Sequence, residues 1–347
     1  MTTPDGSAGP HRPLGRLDPP GPLDPLGPPV PRPALATTEA TRTAFGQALV
    51  ELGRRDRRIV VLDGDLANST KVDGFADAFP ERFFEMGVAE QNMIGVAAGL
   101  ATAGFIPFAT TFAAFAANRD LDQIRVVVAQ TKLHVVIVGG YAGLLIGRPG
   151  KSHVCLEDVA IMRALPNMTV LAPGDAVEAR QAVVGAAGHP GPVYLRLGRD
   201  PTPVLFDERY EFRIGPAVLL REGRDVALLT SGLQAARTLA AADLLAAEGI
   251  EALVLHLPTI KPLDADAVVE AARRTGAVVT AEDHSIIGGL GSAVAEVLGE
   301  RLPTPLRRVG TPDVYAESGP NEALLEKYGL TAGRVAAAAR SVLGARR

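Results

Sequence analysis

Cysteine occurs once in this 347-residue chain, at Cys155, and tryptophan not at all. A single thiol rules out an internal disulfide and any metal site built on clustered cysteines. With no Trp and 5 Tyr the chain lacks the platforms on which single-stranded nucleic acid stacks, and a net charge of -4 presents no broad basic surface. No apolar run has transmembrane character, and no apolar signal region follows the amino terminus, so the sequence predicts a cytoplasmic protein without a membrane role. What the chain does have is core-forming material: 47% of its residues are hydrophobic, which at this length suits about two domains.

Residues 1–35 are a compositional regime of their own. GPHRPLGRLDPPGPLDPLGPPVPRP is dense in Pro and Gly and has too little patterned apolar surface for a core. It predicts a disordered tail, with a polyproline recognition segment as the functional alternative.

From Thr38 onward strands and helices alternate, which predicts an α/β fold with mainly parallel sheets in two consecutive domains. TEATRTAFGQALVELGRRD reads as a helix with Ala44, Ala48 and Leu52 on one face, followed by the strand IVVLDGD. VVIVGG, MTVLAP and PVYLRLGRD read as further strands of a first domain over 36–203. A linker over 204–215 leads to a second domain over 216–347, with strands at DVALLTSG, IEALVLHLPTIKPLD, AVVTAEDH and LRRVG.

The most informative stretch is Phe79 to Arg119. Ala89 to Ala103 reads as a small-residue helix, and Glu90 at its mouth is the acid to explain. It is either a first-turn carboxylate held by free backbone N–H groups or a group desolvated enough to keep a proton, as acid–base chemistry requires. Phe112 and Phe115 share a face only on a helix, where they form either an aromatic wall or ordinary core. Asp63, Gly64 and Asp65 end a strand, where a divalent-metal or diphosphate site and a plain helix-start turn are both open. GLLIGRPGKSH does not match a phosphate-loop consensus, and its His153 can serve a substrate oxygen or simply the surface. Arg199, beside Gly198 at a strand end, is better placed than Arg196 to reach an anion. GGLG at 288–291 is a turn or a packing device at least as readily as an anion loop.

Taken together and in order, FFEMGVAEQNMIGVAAGLATAGFIPFATTFAAF, GRPGKSH with LEDVAIMRALPNMTVLAP, TSG, LHLPTIKPLD and ED with GGLG resemble the carboxyl-terminal half of transketolase, most closely the split form whose halves are separate subunits. The resemblance runs from Thr38 to Leu343. It implies a thiamine diphosphate-binding fold pyrimidine domain followed by a transketolase carboxyl-terminal domain. It also implies transfer of a two-carbon ketol unit from a ketose to an aldose. In such proteins the glutamate matching Glu90 hydrogen-bonds the cofactor aminopyrimidine and promotes its imino tautomer. Phe112 and Phe115 match aromatic residues flanking the pyrimidine, with Asn118 at the edge of that region and Asp65 and Leu66 close to the cofactor. His153 matches a histidine on substrate oxygens, and so is catalytic with Glu90; Arg199 matches an arginine for a substrate phosphate.

The GDG to Asn motif for diphosphate and its divalent metal does not occur in this sequence, and GDLAN at Gly64 to Asn68 is not that motif. The resemblance therefore implies an amino-terminal partner subunit that binds most of the Mg2+ or Ca2+ and the diphosphate, in a two-plus-two heterotetramer; no metal ligand is assigned to this chain. The substrate loop departs from the family: Tyr141 stands for a histidine, Pro149 for an aspartate and Val154 for a glutamine, while Arg148 and Lys151 add positive charge. Losing a carboxylate and gaining two cations favours an anionic or otherwise modified substrate, with Tyr141, Arg148, Lys151, His153 and Arg199 as its contacts. The alternatives are a subunit of a 1-deoxyxylulose-5-phosphate-synthase-like or other pyruvate-using enzyme, a dehydrogenase beta subunit, and a noncatalytic regulatory or scaffolding subunit.

Overall fold

The computed structural model describes residues 26–27, 29–30, 37–207 and 209–344. In chain order the first part comprises β1 (Thr38–Glu39), α1 (Thr41–Arg55), β2 (Ile59–Asp63), α2 (Ala67–Thr70), α3 (Asp73–Ala78), β3 (Phe83–Glu85), α4 (Glu90–Thr102), β4 (Ile106–Phe112), α5 (Ala113–Asn118) and α6 (Leu121–Gln123). It continues with β5 (Val136–Gly140), α7 (Asp158–Ala164), β6 (Thr169–Leu171), α8 (Ala176–Gly188), β7 (Val193–Arg196) and β8 (Thr202–Pro203). The second part comprises β9 (Val218–Arg221), β10 (Val226–Thr230), α9 (Ala235–Ala246), β11 (Ala252–His256), β12 (Thr259–Lys261), α10 (Ala265–Thr275), β13 (Val278–Ser285), α11 (Leu290–Arg301), β14 (Leu306–Thr311), α12 (Asn321–Tyr328) and α13 (Ala332–Gly344).

Among the described residues, seven strands form one sheet in the order β12-β6-β7-β5-β4-β2-β3 and five form another in the order β14-β13-β10-β11-β9. Within these two sheets every neighbouring pair is parallel except β12 with β6 and β9 with β11, each at a sheet edge, and β1 pairs antiparallel with β8 apart from them. The α/β class with mainly parallel sheets is therefore the fold. β2 and β4 are buried along their whole length, as expected of strands covered by helices on both faces. Phe45, Ala48 and Leu49 of α1 pack beneath them with Phe108 and Val136.

The structure differs from the sequence reading in several places. IEALVLHLPTIKPLD is two strands: β11 stays in the second sheet, whereas β12 pairs antiparallel with β6 of the first. Among its described residues the segment read as a linker carries no regular element after β8, and Leu205, Phe206 and Tyr210 are buried. Tyr210 donates to the buried Glu178 of α8, whose other oxygen lies 2.7 Å from Nε2 of His256 on β11. Most of the expected disordered tail lies outside the described residues, but Val30 N donates to Leu219 O at 3.0 Å, so that point of the segment is docked on β9. No helix among the described residues is long and apolar enough to cross a membrane.

Candidate active site at the strand ends

The carboxyl ends of β2, β4, β5 and β7 converge, and the loops after them carry most of the candidate residues. Asp63 closes β2 and is fully buried. It accepts hydrogen bonds from Leu66 N at 2.5 Å, Thr110 Oγ1 at 2.7 Å and Thr70 Oγ1 at 3.1 Å. Burial pushes its carboxyl up, and those hydrogen bonds oppose the shift. Asp63 thus folds the 64–70 turn, which supports the helix-start alternative. Asp65 sits at φ 64° and its side chain is exposed, while its N–H donates to Glu85 at 2.9 Å. Among the described residues no group of three or more His, Cys, Asp or Glu is arranged to hold a metal ion.

Glu90 is the first residue of α4 and is 1% exposed. Its partner is neither a backbone amide nor apolar surface alone: one nitrogen of Arg119 donates to both carboxylate oxygens at 2.8 Å. To the two alternatives raised for this acid the structure adds a third feature, an ion pair. α5 delivers Arg119 at its carboxyl-terminal end, where the guanidinium lies 4.4 Å above the Phe115 ring. Gly64 faces the same acid, since a β-carbon there would touch Glu90 Cγ at 3.6 Å and Thr111 Oγ1 at 3.5 Å. Thr111 Oγ1 is buried without a partner. So are both oxygens of Asp120, next to Arg119, whose carboxyl is pushed up to about 8 by burial, with the Glu90 charge adding and Arg119 opposing.

Phe112 does not share a helix with Phe115: it ends β4, and Phe115 lies on α5. The rings nevertheless stack, 5.8 Å apart, because the strand runs directly into the helix. Tyr141 extends the stack, 4.1 Å from Phe112, and the His153 ring meets both phenylalanines edge-on at 5.9 and 5.5 Å. Leu66 packs against the same cluster. Ser152 Oγ lies 2.8 Å from Nδ1 of His153.

Beyond Tyr141 the array becomes cationic. Arg199 lies 5.5 Å and Arg42 5.2 Å from the Tyr141 ring centre, and Arg42 donates to the Tyr141 hydroxyl at 3.0 Å, to Ser69 O at 2.7 Å and to Arg199 O at 2.8 Å. Burial pushes the Tyr141 phenol up, but hydrogen bonds from Ser69 and Arg199 and the two arginine charges outweigh it and leave it below its ordinary value. Arg199 Nε is buried without a partner. Arg196, by contrast, is tied to Asp158 at 2.8 Å and Asp283 O at 2.7 Å inside the protein.

Three candidates stand apart from this array. Asn118 donates to Glu157 at 3.1 Å and, with Lys151, lines a cleft of about 340 Å3 beside Tyr315 of the second part. Arg148 is exposed on the loop above. GGLG is a packing device: Glu282 accepts from Leu290 N at 2.6 Å and Gly291 N at 2.8 Å, so a side chain of the protein is itself the anion at the α11 amino terminus.

Arg42, Ser69 and Arg119 were not singled out from sequence. Arg42 sits in the first turn of α1, where the helix dipole disfavours a cation, and that misfit was a signal. Arg119 is the first basic residue after Glu90 in the chain, a signal that offers a counter-charge without placing it.

Two family models match the chain: "Transketolase, pyrimidine binding domain" over residues 38–203 and "Transketolase, C-terminal domain" over 215–335. The chain belongs to the transketolase family, in its split form. It is 48% identical over 301 residues to the 6-deoxy-6-sulfo-D-fructose transketolase subunit SqwH of Clostridium sp. (strain MSTE9), covering 87% of this chain and 94% of that one. It is 45% identical over 292 residues to a putative transketolase C-terminal section of Methanocaldococcus jannaschii, covering 83% and 92%. A solved structure described as "Split gene transketolase, inactive beta4 tetramer" superimposes with a TM-score of 0.84 at 54% identity over 89% of this chain and 99% of that chain. A transketolase-like transferase of this family uses thiamine diphosphate chemistry in general terms, and the fold and class read from sequence are those of the family.

Proposed function

We propose that this chain is the carboxyl-terminal subunit of a heteromeric transketolase-like enzyme, acting on substrates that carry a terminal oxyanion group. The observation that carries this is the continuous array Glu90–Arg119–Phe115–His153–Phe112–Tyr141–Arg199, which runs from a buried acid through an aromatic wall to paired arginines.

The residues present fit the ring end of thiamine diphosphate. A buried carboxylate, stacked aromatic faces and the unpartnered Thr111 hydroxyl offer a flat, hydrogen-bonding ring what it needs. Phe112, Phe115 and Leu66 would hold the ring, with Asp65 and Asn118 as further contacts, and Glu90 would hydrogen-bond it. When bound, the cofactor supplies the nucleophilic carbon and the electron sink for ketol transfer. Glu90 holds or releases a proton at a carboxylate oxygen, which requires Arg119 to give up at least one of its two contacts. His153, fixed against the phenylalanines, presents a ring nitrogen to substrate oxygens. Arg199 and Arg42 receive the anionic end, with the Tyr141 hydroxyl between them and Arg148 and Lys151 adding charge at the entrance.

The partner is an amino-terminal subunit that supplies the diphosphate and the Mg2+ or Ca2+ ligands, in a two-plus-two assembly. The relatives' names support it: one is a transketolase subunit and another an inactive beta4 tetramer. The Clostridium relative is named for a sulfonated sugar, which fits the oxyanion requirement. Calorimetry of this chain alone and with its partner tests the proposal. Stoichiometric thiamine diphosphate binding is expected only for the pair, with turnover falling about 10²–10⁴-fold in Glu90→Gln while assembly is unchanged. Tight binding and full activity of the isolated chain would count against it.

A further inference from the structure

The second part of the chain grips the substrate loop. The segment between β14 and α12 runs along residues 144–150. Ser318 Oγ donates to Arg148 O, and Gly319 N donates to Gly147 O at 3.2 Å. Asn321 uses both amide protons, one to Leu145 O at 3.2 Å and one to Asp200 at 2.5 Å. Asp200 in turn lies 3.2 Å from Arg199. Asp283 adds a fourth hold by accepting from Leu144 N at 2.9 Å. The fit leaves no slack, since a β-carbon on Gly147 would stand 2.3 Å from Gly319 O and 2.8 Å from Asn321 Oδ1.

A single amide therefore joins the loop bearing Arg148, Lys151 and His153 to the carboxylate that steers Arg199. With the amide reversed, its oxygen would face two acceptors, so the neighbours dictate its orientation.

We infer that Asn321 is a positioning residue for the anionic end of the substrate: through Asp200 it sets the reach of Arg199, and through Leu145 it sets the course of the 144–153 loop. The second part of the chain thereby takes part in choosing the substrate class, a terminal phosphate or sulfonate over a neutral ketose. This rests on Arg199 as the anion receptor.

The test compares xylulose 5-phosphate with unphosphorylated xylulose in the assembled enzyme, for Arg199→Met, Asn321→Ala and Asn321→Asp. For both Asn321 variants KM for the phosphorylated donor is expected to rise about tenfold, with kcat within about threefold and KM for xylulose unchanged. A selective loss in Arg199→Met without one in the Asn321 variants overturns the inference and leaves the anion site standing. No selectivity in Arg199→Met overturns both. Hydrogen exchange in the full chain alone decides independently of turnover: Ser318→Ala and Asn321→Ala are expected to speed exchange of the 144–153 amides, and unchanged exchange there overturns the inference.

Discussion

Glu90 and Arg119 show how a buried acid is kept inside a protein beside a counter-charge. The acid is 1% exposed and the arginine side chain 43%, so the pair is buried on one side and wet on the other. Removing the arginine leaves the carboxylate without its counter-charge. Arg119→Met is expected to lower stability by about 2 kcal/mol, less than the loss of a fully buried pair because solvent already screens the guanidinium. Glu90→Gln in the same background should recover part of that loss, and urea midpoints of the two single variants and the double variant measure the coupling. The acid was legible in the sequence because GVAEQNM is distinctive, but the arginine's role depends on α5 folding back over Phe115, a tertiary fact that spacing does not carry. Arg42 was hidden for the same reason: its partners Tyr141 and Arg199 lie about a hundred residues or more away in sequence.

At the level of elements, the long strands and helices followed from apolar runs and helical spacing, and α1 and α4 lie where their sequences put them. β3 was missed because three residues of Phe-Phe-Glu carry no period, and β12 because its neighbour β6 belongs to another sheet. The α11 amino terminus illustrates what a glycine motif alone leaves open. GGLG has the composition of an anion loop, and only the position of Glu282 decides that it closes on the protein itself. A β-carbon at Gly289 would lie 2.0 Å from the Glu282 carboxylate and 2.6 Å from His284. Gly289→Ala is therefore expected to drive that carboxylate off the helix amides and cost about 1–3 kcal/mol, read as a lowered urea midpoint.

Across the whole molecule the buried acids set the pH response. Burial raises Asp175 from 3.8 to about 6, with hydrogen bonds from Glu178, Phe206 and Leu205 opposing, and raises Asp120 from 3.8 to about 8. The native state binds these protons more tightly than the unfolded chain, so their contribution to stability is fully present below about pH 4 and is lost as pH rises toward about 8. Urea midpoints of the isolated chain are expected to fall between about pH 5 and pH 8, and Asp120→Asn should flatten the upper half of that decline.

The crossing of β12 into the first sheet also bears on recombination between relatives. A chimera joined near residue 210 would import Thr259–Lys261 from one parent and set it against β6 of the other. The donor of the second part thus brings an edge strand of the first, and the inherited unit of this fold is not the contiguous half but the half plus one borrowed strand.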